Sequence, residues 1–148
     1  MIKNKLVITP LPAFTDNYIW ILHNHTSCVV VDPGDADVVL AFLKENKLEL
    51  ETILVTHHHP DHTGGINKLV QQYPFTSVFG PKDSNIPHIT QEVVENQKVS
   101  AIKAQALDES YKISDLESVR YFVKECGIDP LKNGNLLNSS CLVATKNN

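Results

Sequence analysis

The chain has 148 residues, a length that suits one domain with a modest hydrophobic core. Its composition, 42% hydrophobic and 20% charged, is that of an ordinary globular protein and excludes a largely disordered chain. The formal charge is −4 and no stripe of Lys or Arg is present, which argues against a nucleic-acid partner. No apolar stretch approaches the ~20 residues that a membrane span needs, so we expect a cytoplasmic protein without membrane contact.

The beginning of the chain predicts three β-strands. Lys5–Ile8 and Tyr18–Leu22 are rich in β-branched and aromatic residues, and Pro10 and Pro12 predict a loop between them. Cys28–Asp32 is a continuous apolar run, which is typical of a strand buried on both faces.

Helices and strands then alternate. Asp35 is a suitable N-cap for a helix that continues to Asn46. Thr52–Thr56 predicts a strand, the spacing of apolar residues over Ile66–Tyr73 predicts an amphipathic helix, and Thr76–Phe79 predicts a further strand.

From about Gln91 the pattern favours helices. Val94, Lys98, Ile102 and Ala106 form a weak stripe at helical spacing. Ser114 opens a capping-box sequence that predicts a helix ending near Cys126, and residues 129–148 are polar and expected to fray. We therefore divide the chain into a metal-binding part, residues 1–95, and a helical and partly disordered segment, residues 96–148.

The most informative segment runs from Thr56 to Gly65 and places four histidines and one aspartate in six consecutive positions. Imidazole and carboxylate groups are suitable ligands for Zn²⁺ and related metals. His57 and His59 are two positions apart, so an extended chain would direct both to one side and His58 to the other. Asp61 and His62 follow the bend at Pro60 and could hold a second metal, roughly 3.5–4 Å from the first. A solvated histidine-rich loop is the alternative interpretation.

The H-x-H-x-D-H pattern resembles the motif of the metallo-β-lactamase superfamily. Three further segments narrow the resemblance to glyoxalase II, the hydroxyacylglutathione hydrolases: Pro12–Leu22, Val31–Ala36 and Val78–Pro81. The segments occur in the order found in that family, and the resemblance covers about residues 6–95. It implies an α+β fold, the αββα sandwich, of which this chain would carry only the N-terminal half followed by a short helical segment.

The resemblance also implies a function. Hydroxyacylglutathione hydrolases cleave the thioester of S-D-lactoylglutathione to D-lactate and glutathione during methylglyoxal detoxification. His57 and His59 would hold one metal, and Asp61 and His62 a second. Asp61 would also be catalytic by orienting the attacking hydroxide. The expected cofactor is Zn²⁺, two per complete site, with Fe or Mn as alternatives, and the expected partner is a glutathione thioester.

Two neighbouring segments are expected to support this loop. Asp32, in the V-D-P-G turn, is interpreted as a structural support, with a simple strand-ending turn residue as the alternative. Asp16 and Asn17, in the F-T-D-N-Y turn, are expected to hold backbone near the site through bonds from side chain to main chain.

The sequence departs from the family after residue 95. It lacks the G-H-T-x-G-H segment and the later aspartate and histidine that complete the family's metal site. The remaining histidines, His23, His25 and His88, are expected to lie at the surface. Three hypotheses stay open: a thioester hydrolase, a metal-binding module without turnover, and a shortened, non-functional product. Another hydrolase of the same superfamily is a further alternative.

A half-sandwich would lack the sheet that covers its inner face. We expect that face to be formed by apolar strand residues, namely Val7, Ile19, Ile21, Val29, Val31, Ile53 and Val55. An uncovered apolar face would favour self-association.

Overall fold

A computed structural model of the chain describes residues 7–94. Within this range the chain forms one mixed six-stranded sheet in which the strands follow chain order, β1 to β6. The strands are β1 Val7–Ala13, β2 Asn17–His23, β3 Ser27–Val31, β4 Glu49–Leu54, β5 Ser77–Gly80 and β6 Gln91–Glu92. The helices are α1 Ala36–Asn46, α2 Pro60–Thr63 and α3 Ile66–Gln72. None of the helices in this range is long and apolar enough to cross a membrane.

The type of strand pairing changes once across the sheet, at β3. β1, β2 and β3 pair in antiparallel fashion, whereas β3, β4, β5 and β6 are parallel. Parallel neighbours need a crossover connection, and α1 provides it between β3 and β4 while α2 and α3 provide it between β4 and β5. As a result, the loops that follow β3 and β4 leave the same edge of the sheet.

Helix α1 begins and ends as the sequence predicts. The Asp35 side chain accepts a hydrogen bond from the backbone N–H of Asp37 at 2.9 Å, which satisfies one donor of the first turn. Lys47 adopts a left-handed conformation (φ 54°), and its N–H donates hydrogen bonds to the carbonyls of Leu43 and Lys44. Val39 and Leu43 are buried against the sheet. The predicted helix from Asp35 to Asn46 is therefore confirmed.

The main core lies between the helices and one face of the sheet. The side chains that form it come from the sheet and from helices α1 and α3: Ile19, Ile21, Cys28, Val30, Ile53, Val55, Val78, Val39, Leu43, Ile66 and Leu69. All of them have 1% exposure or less. The Cys28 thiol belongs to this core, and burial raises its pKa to about 12.

The predicted inner face is wrong because it combines residues from two faces. Ile21 is opposite Val30, whereas Leu22 is opposite Val29, so Val29 lies on the other side of the sheet from Ile21. Side chains alternate along a strand, and residues opposite each other share a face. Ile19, Ile21, Ile53 and Val55 pack in the core with the helices, while Val29 and Val31 belong to the second face.

The second face is buried as well. Val29 and Leu54 have no exposed surface and Trp20 is 3% exposed. These residues do not form an open apolar surface, which removes the feature from which self-association was predicted. Self-association itself stays a prediction.

Two other predictions differ from the structure. Pro10 and Pro12 lie within β1, not in a loop, because β1 is an edge strand of the described sheet and an edge strand tolerates missing N–H donors. Gln91 and Glu92 pair with β5 as β6, so the helical pattern does not begin at Gln91. The predicted helix from Ser114 to Cys126 and the segment 96–148 lie outside the described residues.

Candidate metal centre

The histidine-rich run lies at the edge of the sheet where β3 and β4 end. We call residues 56–65 the metal loop. Its first residue follows the end of β4, and its second half forms the short helix α2, with Pro60 at the first position. Asp32 leaves the neighbouring strand β3 in a left-handed conformation (φ 52°), which aspartate tolerates better than most residues. The carboxyl ends of two parallel strands thus bring Asp32 next to the metal loop.

Glycines allow the turn after β3 to lie directly against the metal loop. The N–H of Gly65 donates to the carbonyl of Pro33 at 2.8 Å. A Cβ added to Gly34 would lie 1.9 Å from the backbone oxygen of Asp61, so only glycine fits at this point. The position of the metal loop therefore depends on close backbone contact with residues 33–34.

The four predicted ligands come together in the structure. His57 Nε2 lies 3.1 Å from His59 Nδ1, and His62 Nε2 lies 3.3 Å from Asp61 Oδ2. The rings of His57 and His62 are 4.2 Å apart between centroids, which joins the two pairs into one cluster. His59 and Asp61 are exposed and the other two are partly buried, so the cluster opens to solvent. Metal binding by these residues stays a prediction.

Asp32 supports this cluster from the side of the protein. Its Oδ1 accepts a hydrogen bond from the backbone N–H of Thr56 at 2.7 Å, and its Oδ2 accepts one from the Thr56 hydroxyl at 2.5 Å. The same Oδ2 lies 3.0 Å from His62 Nδ1. Thr56 Oγ1 is also 2.8 Å from His57 Nδ1. The sequence predicted a supporting role for Asp32, but it gave no role to Thr56.

Asn17 reaches the cluster from the start of β2. Its side-chain N–H donates to Asp61 Oδ2 at 2.8 Å, a bond between side chains rather than the predicted bond from side chain to main chain. This bond is the largest contribution that lowers the pKa of Asp61 below its usual value, and the nearby His62 acts in the same direction. Asp61 is therefore ionised at neutral pH, the form that binds a metal.

His58 contacts a different part of the molecule. Its Nδ1 lies 3.0 Å from Asp83 Oδ2, and about half of its side chain is exposed. The pKa of Asp83 is lowered, mainly by the backbone N–H of Asn85 and then by the charge of His58. His58 thus joins the segment after β5 to the metal loop, and its ring meets the donor pairs only edge-on at His59, at 5.2 Å between centroids.

The other three histidines contribute nothing to the cluster. His25 and His88 are exposed, and His88 Nε2 lies 2.6 Å from Asn67 Oδ1. His23 was predicted to lie at the surface but is half-buried. Its Nε2 lies 2.9 Å from the Thr9 hydroxyl, and its ring packs edge-on against Phe42. Burial lowers the pKa of His23, so it is neutral at physiological pH.

The donor set suits a metal of the zinc type. Three imidazoles and one carboxylate converge at an open edge, and these are the groups that Zn²⁺ takes in proteins. Asp32, His57 and His62 also have donor atoms within 4.8 Å of one another. Both oxygens of Asp32 already accept hydrogen bonds from Thr56 or contact His62, so we assign Asp32 to the support of the site and not to the ligand set.

Comparison with known proteins places this geometry in a family. The sequence profile described as the Metallo-beta-lactamase superfamily matches residues 13–126. The chain belongs to this superfamily. Within it, the chain is 53% identical over 95 residues to a hydroxyacylglutathione hydrolase of Photobacterium profundum and 55% identical over 89 residues to one of Aliivibrio salmonicida. These matches cover 64% and 60% of this chain but only 38% and 35% of the relatives. The predicted resemblance to hydroxyacylglutathione hydrolases is thereby confirmed.

Solved structures show the superfamily fold. The BLEG-1 B3 metallo-beta-lactamase aligns with a TM-score of 0.54 and 18% identity, covering 64% of this chain and 56% of that protein. A metallo-beta-lactamase from Staphylococcus aureus aligns with a TM-score of 0.51 and 16% identity, covering 65% of this chain and 30% of that protein. The described residues therefore form part of the metallo-β-lactamase fold, an α+β architecture as predicted.

Proposed function

We propose that this protein is a metal-dependent hydrolase of hydroxyacyl-glutathione thioesters. The observation that carries the proposal is the cluster formed by His57, His59, Asp61 and His62, whose donor atoms meet at one edge of a metallo-β-lactamase sheet. Relatives named hydroxyacylglutathione hydrolase, about half identical over 95 residues, support a glutathione thioester as the substrate. The expected substrate is S-D-lactoylglutathione, and the products are D-lactate and glutathione.

Each donor pair would hold one metal, His57 with His59 and Asp61 with His62. Two Zn²⁺ ions, with Fe or Mn as alternatives, would supply positive charge for the thioester carbonyl and lower the pKa of the attacking water. The lowered pKa of Asp61 leaves it an acceptor of hydrogen bonds only, so it can also orient that water through one of its protons. The site opens to solvent, which gives a bulky thioester access.

The substrate class also fits a cellular compartment. Glutathione is one of the thiols that keep the cytosol reducing, and the proposed substrate is a thioester of that thiol. We therefore propose that the protein acts in the cytoplasm, as part of methylglyoxal detoxification.

A metal-binding protein without turnover is the second candidate. The described residues provide two donors in each pair, whereas a catalytic zinc normally has three protein ligands. This count predicts weaker metal binding and slower hydrolysis than in a complete hydroxyacylglutathione hydrolase, because the geometry that lowers the pKa of the bound water is less fixed.

The test combines metal content and rate on the purified full chain. Zinc per chain is measured by atomic emission after desalting, and hydrolysis of S-D-lactoylglutathione is compared with that of the Photobacterium profundum relative. We expect bound zinc and a rate well below the relative's, and we expect the Asp61→Ala variant to abolish the rate. A chain that binds zinc but shows no hydrolysis above that of Asp61→Ala would establish the second candidate. Turnover in the usual range of about 1–10³ s⁻¹ would contradict the expected slow rate.

A further inference from the structure

The hydroxyl of Thr56 bridges Asp32 and His57. Its Oγ1 lies 2.5 Å from Asp32 Oδ2 and 2.8 Å from His57 Nδ1. A hydroxyl has one proton to donate, and a carboxylate can only accept. The proton of Thr56 is therefore used in the bond to Asp32. The same oxygen can then only accept from the imidazole, so the proton of His57 must reside on Nδ1.

The carboxylate that starts this chain of bonds is held in place. Asp32 is 9% exposed, and its Oδ1 accepts the backbone N–H of Thr56 at 2.7 Å. Its Oδ2 also lies 3.0 Å from His62 Nδ1, so His62 donates from Nδ1 for the same reason. One carboxylate thus sets the proton position on two imidazoles, directly for His62 and through Thr56 for His57.

Fixing a proton on Nδ1 leaves the lone pair on Nε2. For His57 this nitrogen lies 3.1 Å from His59 Nδ1, and for His62 it lies 3.3 Å from Asp61 Oδ2. In both rings the nitrogen that carries the lone pair is the one that points into the cluster. A neutral imidazole binds metal only through that nitrogen.

We infer that Thr56 is a positioning residue that keeps the proton of His57 on Nδ1 and so presents Nε2 to the metal. The part of this inference that concerns metal binding rests on the proposed function. The proton position itself is a property of the chain without metal, so it can be tested separately.

Two substitutions separate the hydroxyl from the shape of the side chain. Thr56→Val removes the hydroxyl at nearly constant volume, and Thr56→Ser keeps it. Loss of a group that orients a metal ligand typically weakens metal binding 10–100-fold. We expect Thr56→Val to weaken zinc binding about 10-fold, measured by competition with a chromophoric chelator, and Thr56→Ser to bind zinc as the original chain does. Equal thermal unfolding midpoints of the metal-free variants would show that both fold.

The proton position is read by ¹⁵N NMR of the histidine rings in the metal-free protein at neutral pH. We expect His57 to carry its proton on Nδ1 in the original chain and in Thr56→Ser, and to lose this preference in Thr56→Val. A proton on Nε2 of His57 in the original chain would overturn the inference. Equal zinc affinities of Thr56→Val and Thr56→Ser would also overturn it. An original chain that binds no zinc would overturn the proposed function, and the NMR result would still decide the inference.

Discussion

His58 and His59 are neighbours in sequence but have different partners. His59 Nδ1 meets His57 Nε2 at 3.1 Å, whereas His58 Nδ1 meets Asp83 at 3.0 Å. In an extended segment, adjacent side chains point in opposite directions. This alternation predicted the different hydrogen-bonding partners of the two histidines, and which of them binds metal stays a prediction.

The difference predicts distinct effects on metal binding. Replacing His59 with alanine should sharply reduce the zinc retained per chain, because it removes one of two donors in its pair. His58→Ala should leave bound zinc unchanged, since Nδ1 of His58 pairs with Asp83 and its ring meets the cluster only edge-on at His59, at 5.2 Å between centroids. Atomic emission on both desalted variants measures this. Equal losses from the two substitutions would mean that the donor pairs are assigned incorrectly.

The contacts that the sequence did not reveal join distant positions. The bond from Thr56 to Asp32 spans 24 residues and the bond from Asn17 to Asp61 spans 44. Such contacts depend on which strands are neighbours and in what register, and neither is encoded in local periodicity. The position of Thr56 directly before His57 indicates a role in the site only once the turn after β3, which carries Asp32, is known to lie beside Thr56.

At the scale of elements, the sequence correctly predicted the helices whose ends are marked by a capping residue or a proline. Helix α1 has an aspartate cap, and the apolar spacing of α3 continues to the residue before Pro74. Strand β3 was correctly predicted to be buried on both faces. The assignment of side chains to the two faces of the sheet failed, because it needs the register between β2 and β3, which periodicity within one strand does not supply.

The close backbone contact between Gly34, in the turn after β3, and the metal loop predicts that a larger residue at position 34 disturbs the site. Gly34→Ala would bring a methyl group into the backbone oxygen of Asp61, so the loop must move. We expect a loss of about 1–3 kcal/mol in the free energy of unfolding, as for other overpacked sites, together with weaker zinc binding. Urea unfolding and chelator competition measure the two effects.

Gly80→Ala is the matched control. A Cβ at Gly80 would meet Ile89 Cδ1 at 2.9 Å, the end of a flexible side chain that can rotate away. This variant should keep its zinc affinity. If Gly34→Ala bound zinc as tightly as Gly80→Ala, the close backbone contact would have no role in holding the site.

At the scale of the whole molecule, metal binding and folding should be coupled. The donors belong to one loop whose position depends on β3, β4 and the turns beside them, so an unfolded chain does not present them together. A ligand that binds only the folded state stabilises it by about 2.7 kcal/mol at 100 times its Kd. Zinc should therefore raise the Tm of the full chain, as measured by circular dichroism, and a chelator should reverse the change.

A double variant serves as the control for this coupling. His57→Ala with His62→Ala removes one donor from each pair and should unfold at the same temperature with and without zinc. An equal rise in Tm for the original chain and the double variant would place the zinc elsewhere on the molecule.

The position of the metal loop in the chain bears on the order of events during synthesis. Asp32, Thr56 and all four donors precede residue 63, and they are joined by one strand-helix-strand crossover. The entropy lost in closing a loop grows only slowly with its length, so bringing Asp32 to Thr56 over 24 residues costs little more than closing a shorter loop. A growing chain therefore holds every predicted donor, its support from Asp32 and Thr56, and the Gly65–Pro33 contact once residue 65 has been added.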